Sequence, residues 1–96
     1  MPAYLIAEVD VTDTKAYEEY RKLTPAAVAA YGGRFIVRGG EVESKEGGWK
    51  PARLVVVQFD SMAQAKKFYE SPEYAPALAI RHKAATSRLI LADGLD

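Results

Sequence analysis

From Ala3 to Val11 the chain places a small or branched apolar side chain at every second position. Ala3, Leu5, Ala7, Val9 and Val11 share one face; Tyr4, Ile6, Glu8 and Asp10 share the other. A two-residue period belongs to a β-strand, whose successive side chains leave opposite faces. The pattern returns three times. Arg34–Glu43 reads as a second strand, with Phe35 and Val37 on one side and Arg34, Ile36 and Arg38 on the other. Its Gly39-Gly40 pair predicts a bulge or a bend. Arg53–Phe59 (RLVVVQF) is a third strand, joined to the second by the turn Ser44–Pro51 as a hairpin. Thr86–Ala92 is the last, with Leu89 and Leu91 opposed to Arg88 and Ile90.

Between the strands the period lengthens. Ala16, Tyr17, Tyr20, Leu23, Ala27, Val28 and Tyr31 recur at helical spacing behind a capping Thr12 or Asp13. Pro25 is expected to kink or restart that helix, because it lacks an N–H, and Gly32-Gly33 to end it. Ser61 and Gln64 match the S-x-x-Q capping box of a second helix. Ser71-Pro72 starts a further helix over roughly Pro72–Ala84.

The order strand, helix, strand, strand, helix, helix, strand predicts one α+β domain over residues 1–96. The fold expected is β-α-β-β-α-β, ferredoxin-like, with an extra short helix before the last strand and a four-stranded antiparallel sheet. One sheet face is almost wholly apolar and should carry the helices. The other mixes Tyr4, Ile6, Glu8, Arg34, Ile36, Arg38, Leu54, Val56, Gln58, Arg88 and Ile90. Left open, it would expose a sizeable apolar patch, and such patches mark interfaces or ligand sites. Packing of two copies sheet to sheet would cover it.

Composition narrows the function. A chain of 96 residues has a modest core, and small domains compensate with disulfides, metals or association. With no cysteine and a single histidine, His82, disulfides are excluded and a zinc site is not expected. No other metal or cofactor site is expected either. Thirteen Lys and Arg balance thirteen Asp and Glu, so no basic field invites nucleic acid or an anionic membrane. MPAYLIAEVD lacks a basic n-region, and Glu8 and Asp10 interrupt its apolar run, so it is not expected to act as a signal peptide. A cytoplasmic protein is the expectation.

The stretches AYLIAEVDVTD, YEEYRKLTPAAVAAYGG, GGRFIVRGG and SPEYAPALAIRHKAATSRLIL together resemble the domain of unknown function 1330. The resemblance covers Pro2 to Leu95. It implies membership of the dimeric α/β-barrel superfamily, with a homodimer whose two sheets pack into a barrel. It brings no reaction with it. Relatives in that superfamily include cofactor-free monooxygenases, haem-degrading enzymes, lactone isomerases and plain ligand-binding proteins, and fold alone does not choose among them.

Two functions of different classes therefore stand side by side. One is a homodimer binding a small organic metabolite in a cleft by the sheet. The other is a cofactor-independent enzyme, monooxygenase- or isomerase-like. In the latter Glu8 would accept a proton and Arg38 bind an anion, with Gln58 beside them on the mixed face. The same Glu8 and Arg38 could instead form an ion pair that sets strand register or dimer geometry. Tyr4 lies on that face too. Tyr20, Tyr69, Tyr74 and Trp49 could line a pocket and stack on a flat ligand, or simply pack. Arg81 could reach an anion, or pair with Glu70 or Glu73. His82, between Arg81 and Lys83, fits an exposed helix face. No cysteine nucleophile, G-x-S-x-G elbow or glycine-rich phosphate loop is present.

Overall fold

A computed structural model describes residues 1–96. It contains β1 (Ala3–Val11), α1 (Thr14–Ala30), β2 (Arg34–Arg38), β3 (Leu54–Phe59), α2 (Met62–Tyr69), α3 (Ala75–Ala84) and β4 (Ala85–Asp93). The sheet order is β2-β3-β1-β4, and every neighbouring pair is antiparallel. This is the ferredoxin-like α+β arrangement expected from the element order. All three helices lie on one face of the sheet, and the other carries no helix.

The alternation in β1 does what its period predicts. Ala3, Leu5, Ala7 and Val9 are buried, while the residues between them are more open. They meet Val57 and Phe59 of β3, and then Ala65 and Phe68 of α2, Tyr74, and Ala77 and Ala84 of α3. Phe68 is the centre of this core. Its ring lies 5.2 Å from Phe59 and 4.5 Å from Tyr74. Each such fully buried aromatic contributes roughly 1.5–3 kcal/mol over leaving it in water.

The caps are chemical. Asp13 accepts from the Ala16 N–H at the start of α1, and Ser61 accepts from the Gln64 N–H at the start of α2. Ser71 Oγ accepts from the Tyr74 N–H just ahead of α3 and donates to Phe68 O at 2.7 Å. The first turn after Ser71-Pro72 thus stops short of α-helix, and α3 begins at Ala75. Gly32, at φ +73°, follows the last turn of α1 in the left-handed conformation that a terminating glycine adopts freely.

Three expectations are corrected. Pro25 does not restart α1; the helix runs through it from Thr14 to Ala30. The second strand ends at Arg38 instead of Glu43, since Gly39 takes φ +74° and turns the chain away. The bend expected at Gly39-Gly40 falls at Gly39, and β2 carries a further irregularity before it that exchanges the expected faces of Val37 and Arg38. Phe35 pairs with Val57, but Val37 pairs with Val56 and Arg38 with Val55, so Ile36 is an extra residue in β2. A one-residue shift exchanges the two faces. Beyond the bulge Val37 therefore joins the open face and Arg38 joins the helix-covered one, the reverse of strict alternation.

Candidate functional site

Helix α1 packs along α3 and stands off the sheet, to which α2 and α3 lie closer. The gap is a cleft of about 490 Å³, including its open mouth. Its walls are apolar along the sheet, from Leu5, Ala7, Val9, Phe35, Val55 and Leu89, and aromatic along the helices, from Tyr17, Tyr20 and Tyr74. The polar groups are four guanidiniums, those of Arg21, Arg38, Arg53 and Arg81, together with Thr24 and the tyrosine hydroxyls.

Each arginine arrives by a local feature of the chain. Arg38 is turned inward by the Ile36 bulge. Its Nη2 donates to Arg21 O at 3.0 Å, and its Cζ lies 4.4 Å from the Phe35 ring centroid. That carbonyl lacks its helical donor, since the residue four on is Pro25, which has no N–H, and besides Arg38 it accepts only from Thr24 Oγ1 at 3.5 Å. Arg53 precedes β3 with the same parity as Val55, Val57 and Phe59, so it points to the helices. Its Cζ is 5.5 Å from the Tyr17 ring, and its guanidinium lies against Gly39, where a β-carbon would collide with it. Arg21 follows Tyr17 by one helical turn and pairs with Glu18 at 3.2 Å.

Arg81 is the most enclosed of the four, at 3% exposure. Ala77, Arg81 and Ala84 are the buried stripe of α3, while His82 and Lys83 face solvent. Arg81 pairs with neither Glu70 nor Glu73. It donates from Nη1 to Ser87 Oγ and lies beside the Tyr20 ring. Its pKa is raised: burial pulls against the cation, but the phenol oxygens of Tyr74 and Tyr20 outweigh it.

Tyr20 and Tyr74 complete the inner end. Their hydroxyls are 2.7 Å apart, so one donates to the other and one hydrogen of the pair remains unshared. Burial above all, and then Tyr74, pushes the Tyr20 phenol well above the ordinary tyrosine value. It is therefore a neutral hydrogen-bond donor at physiological pH.

The remaining anticipated residues lie elsewhere. Glu8 projects from the open face, where it accepts from Arg88 Nε at 2.8 Å and from Trp49 Nε1 at 2.9 Å. These two bonds, Trp49 first, hold its pKa below the ordinary carboxylate value. Glu8 and Arg38 thus occupy opposite faces and form neither an ion pair nor a shared constellation. Gln58 accepts from Arg34 Nη2 at 3.2 Å and, like Tyr4 beside it, belongs to the open face. Tyr69 packs 6.0 Å from the Tyr74 ring, behind the cleft wall. His82 and Trp49 are exposed. Sequence reasoning missed Arg53 and Arg21, although the strand parity of one and the helical spacing of the other were both available. No group of histidine, cysteine or carboxylate side chains is arranged to hold a metal ion.

The open face has its own order. Val37, Val56, Ile6 and Ile90 lie side by side across all four strands. Leu54, Glu8 and Arg88 form the next row on one side, and Arg34, Gln58, Tyr4 and Ala92 the row on the other. Ile90 is 60% exposed and Ile36 47%.

The fold recurs in solved structures. One is a protein of unknown function from Rhodopseudomonas palustris, 19% identical, with a TM-score of 0.74 over 99% of this chain and 83% of that one. Another is a dimeric ferredoxin-like protein of unknown function from Jannaschia, 10% identical, with a TM-score of 0.75 over 98% of this chain and all of its own. A third is SnoaB, a cofactor-independent oxygenase from Streptomyces nogalater. It is 14% identical, with a TM-score of 0.68 over 99% of this chain and 94% of that one. At such identities the likeness is one of fold. No curated protein matches the sequence. No helix is long and apolar enough to cross a membrane. Residues 2–95 match the family model described as Domain of unknown function (DUF1330), and the chain belongs to that family.

Proposed function

We propose that this protein binds a small organic molecule in the cleft between α1, α3 and the sheet, and that it does so as a homodimer. The observation that carries the reading is the cleft's make-up. An apolar and aromatic trough ends at a few convergent polar groups, Tyr20, Tyr74, Arg81 and Arg38, which is how small-molecule sites are generally built. The dimer reading is supported by the apolar row Val37, Val56, Ile6 and Ile90, which a second copy of the same row would cover. It gains further support from the dimeric character of the Jannaschia neighbour.

The enzyme reading is favoured by one feature, the linked hydroxyls of Tyr20 and Tyr74 beside a buried cation. Donors fixed in a dry site can stabilise a developing oxyanion such as an enolate. In that reading Arg38 keeps its anion-binding part, and any role of Glu8 is played on the open face. The shared fold of a cofactor-independent oxygenase is compatible with this chemistry.

The experiment is an amide-resolved NMR screen with small aromatic and aliphatic compounds, paired with light scattering. Shifts confined to α1, β2 and α3, from a species of two chains, are the expected result. Shifts scattered over the surface, or confined to the open face, would overturn the cleft reading. A single-chain mass would overturn the dimer.

A further inference from the structure

We infer that the cleft selects a small organic anion, a planar carboxylate or enolate carried on an apolar body. This rests on the cleft being the binding site proposed above, and it names the class of ligand.

The argument begins with charge. Four guanidiniums line the cleft, and no aspartate or glutamate does. Only Arg21 has a carboxylate partner, Glu18; Arg38, Arg53 and Arg81 have none anywhere in the chain. Arginine cannot escape this by losing a proton. Arg81 is buried, and Arg38 and Arg53 are half-buried; a charge withdrawn from water without a counter-ion is costly, and three like charges around one cavity add mutual repulsion. An anion in the cleft removes both penalties at once.

Hydrogen bonding gives the same answer independently. The buried Nε atoms of Arg21, Arg53 and Arg81 have no acceptor. Arg38, Arg53 and Arg81 each lie over a ring, Phe35, Tyr17 and Tyr20 respectively. A ring face attracts the cation but accepts no in-plane N–H, so the donor edges of the stacked guanidiniums stay available. The unshared hydrogen of the Tyr20–Tyr74 pair adds one more donor. The inner end is thus rich in donors, with few acceptors to match.

Geometry chooses among anions. The guanidinium fork matches the two in-line oxygens of a carboxylate, and a neutral phenol complements the same planar group. Twelve of the seventeen lining residues are hydrophobic, which leaves the rest of the ligand to be apolar.

Calorimetry and amide-resolved NMR on the intact protein test this with four probes: benzoate, benzyl alcohol, benzylammonium and inorganic phosphate. Benzoate is expected to bind in the cleft at least about tenfold more tightly than benzyl alcohol, a difference of about 1.4 kcal/mol. Benzylammonium is expected not to bind. Arg53→Gln and Arg38→Gln should each weaken benzoate by a larger factor than benzyl alcohol. These two are chosen because Arg81→Gln removes a fully enclosed side chain and risks the fold. Equal binding of benzoate and benzyl alcohol in the cleft would overturn the anion inference and leave the cleft as a binding site. Phosphate binding as tightly as benzoate would overturn the class of a carboxylate on an apolar body. No cleft shift from any of the four at millimolar concentration would overturn both this inference and the reading beneath it.

Discussion

The hydroxyls of Tyr20 and Tyr74 meet at 2.7 Å although 54 residues separate them. Tyr20 stands on the cleft side of α1, and Tyr74 is locked by Ser71 at the head of α3. Their bond ties together the two helices that close the cleft. It also sets a neutral, desolvated phenol next to the Arg81 guanidinium.

Tyr20→Phe and Tyr74→Phe should each destabilise the fold, by roughly 1–3 kcal/mol, because each leaves a largely buried partner hydroxyl unsatisfied. Removing both should cost less than the sum, since no orphan remains. Urea unfolding of the two single variants and the double variant measures the coupling. Strict additivity would show that the bond contributes nothing.

Pro25 should matter to Arg38 more than to its own helix. Pro25→Ala supplies the missing N–H, which closes onto Arg21 O and competes there with the Arg38 guanidinium and the Thr24 hydroxyl. Helix propensity alone favours alanine by about 3 kcal/mol in a helix interior. The expected outcome is a melting temperature no lower than the parent's, with benzoate bound more weakly. A fall in stability with unchanged binding would show that the freed carbonyl does not position Arg38.

The two neighbouring glycines of the Gly39-Gly40 pair should respond very differently to alanine. Gly39 has φ +74° and faces Arg53, whereas Gly40 has nothing within 4 Å of an added β-carbon. Gly39→Ala is expected to cost about 1–3 kcal/mol from backbone strain alone. It should also weaken anion binding by moving Arg53. Gly40→Ala should stay within about 0.5 kcal/mol of the parent. Thermal melts with benzoate titrations separate the effects.

The Glu8 carboxylate should report on its own partners as pH falls. Its folded pKa lies below the ordinary value of 4.5. Whatever stability it supplies is therefore present above the unfolded pKa and disappears as pH drops through the folded one. Trp49 fluorescence should change in that acid range, below about pH 4.5, and the change should vanish in Glu8→Gln. A transition centred near neutrality, or one retained in the variant, would mean that another group controls Trp49.

On the open face, Ile90→Arg places a charge in the middle of the apolar row against Ile6. A covered row would then present an unpaired charge to its partner. The mass by light scattering should fall from two chains to one, with the melt of the isolated chain little changed, since Ile90 is 60% exposed within it. An unaltered dimer would place the interface elsewhere.

Much of the fold was legible because its signals are local. The period of Ala3–Val11, the capping residues Asp13, Ser61 and Ser71, and the Gly32 stop each act within a few residues. The candidate site was legible only in part. Tyr20, Tyr74, Arg38 and Arg81 were all anticipated as ligand-facing groups, but Arg38 was placed with Glu8 on the wrong side. The cause is one inserted residue, Ile36, whose bulge depends on how β2 pairs with β3 and leaves no mark in the alternation itself. For Arg81 the local sequence left open whether it reaches an anion or pairs with Glu70 or Glu73. Its burial follows from α3 packing on α1, a contact between distant segments.

By itself, then, the order of residues determined the elements, their order along the chain, and the division into an apolar and a mixed face. Periodicity and capping are short-range physics. Tertiary structure alone decided that α1 stands off the sheet, that four arginines converge in the gap without a carboxylate among them, and that Glu8 is left outside. Those facts depend on strand register and helix packing, which bring together groups dozens of residues apart and which no local pattern encodes.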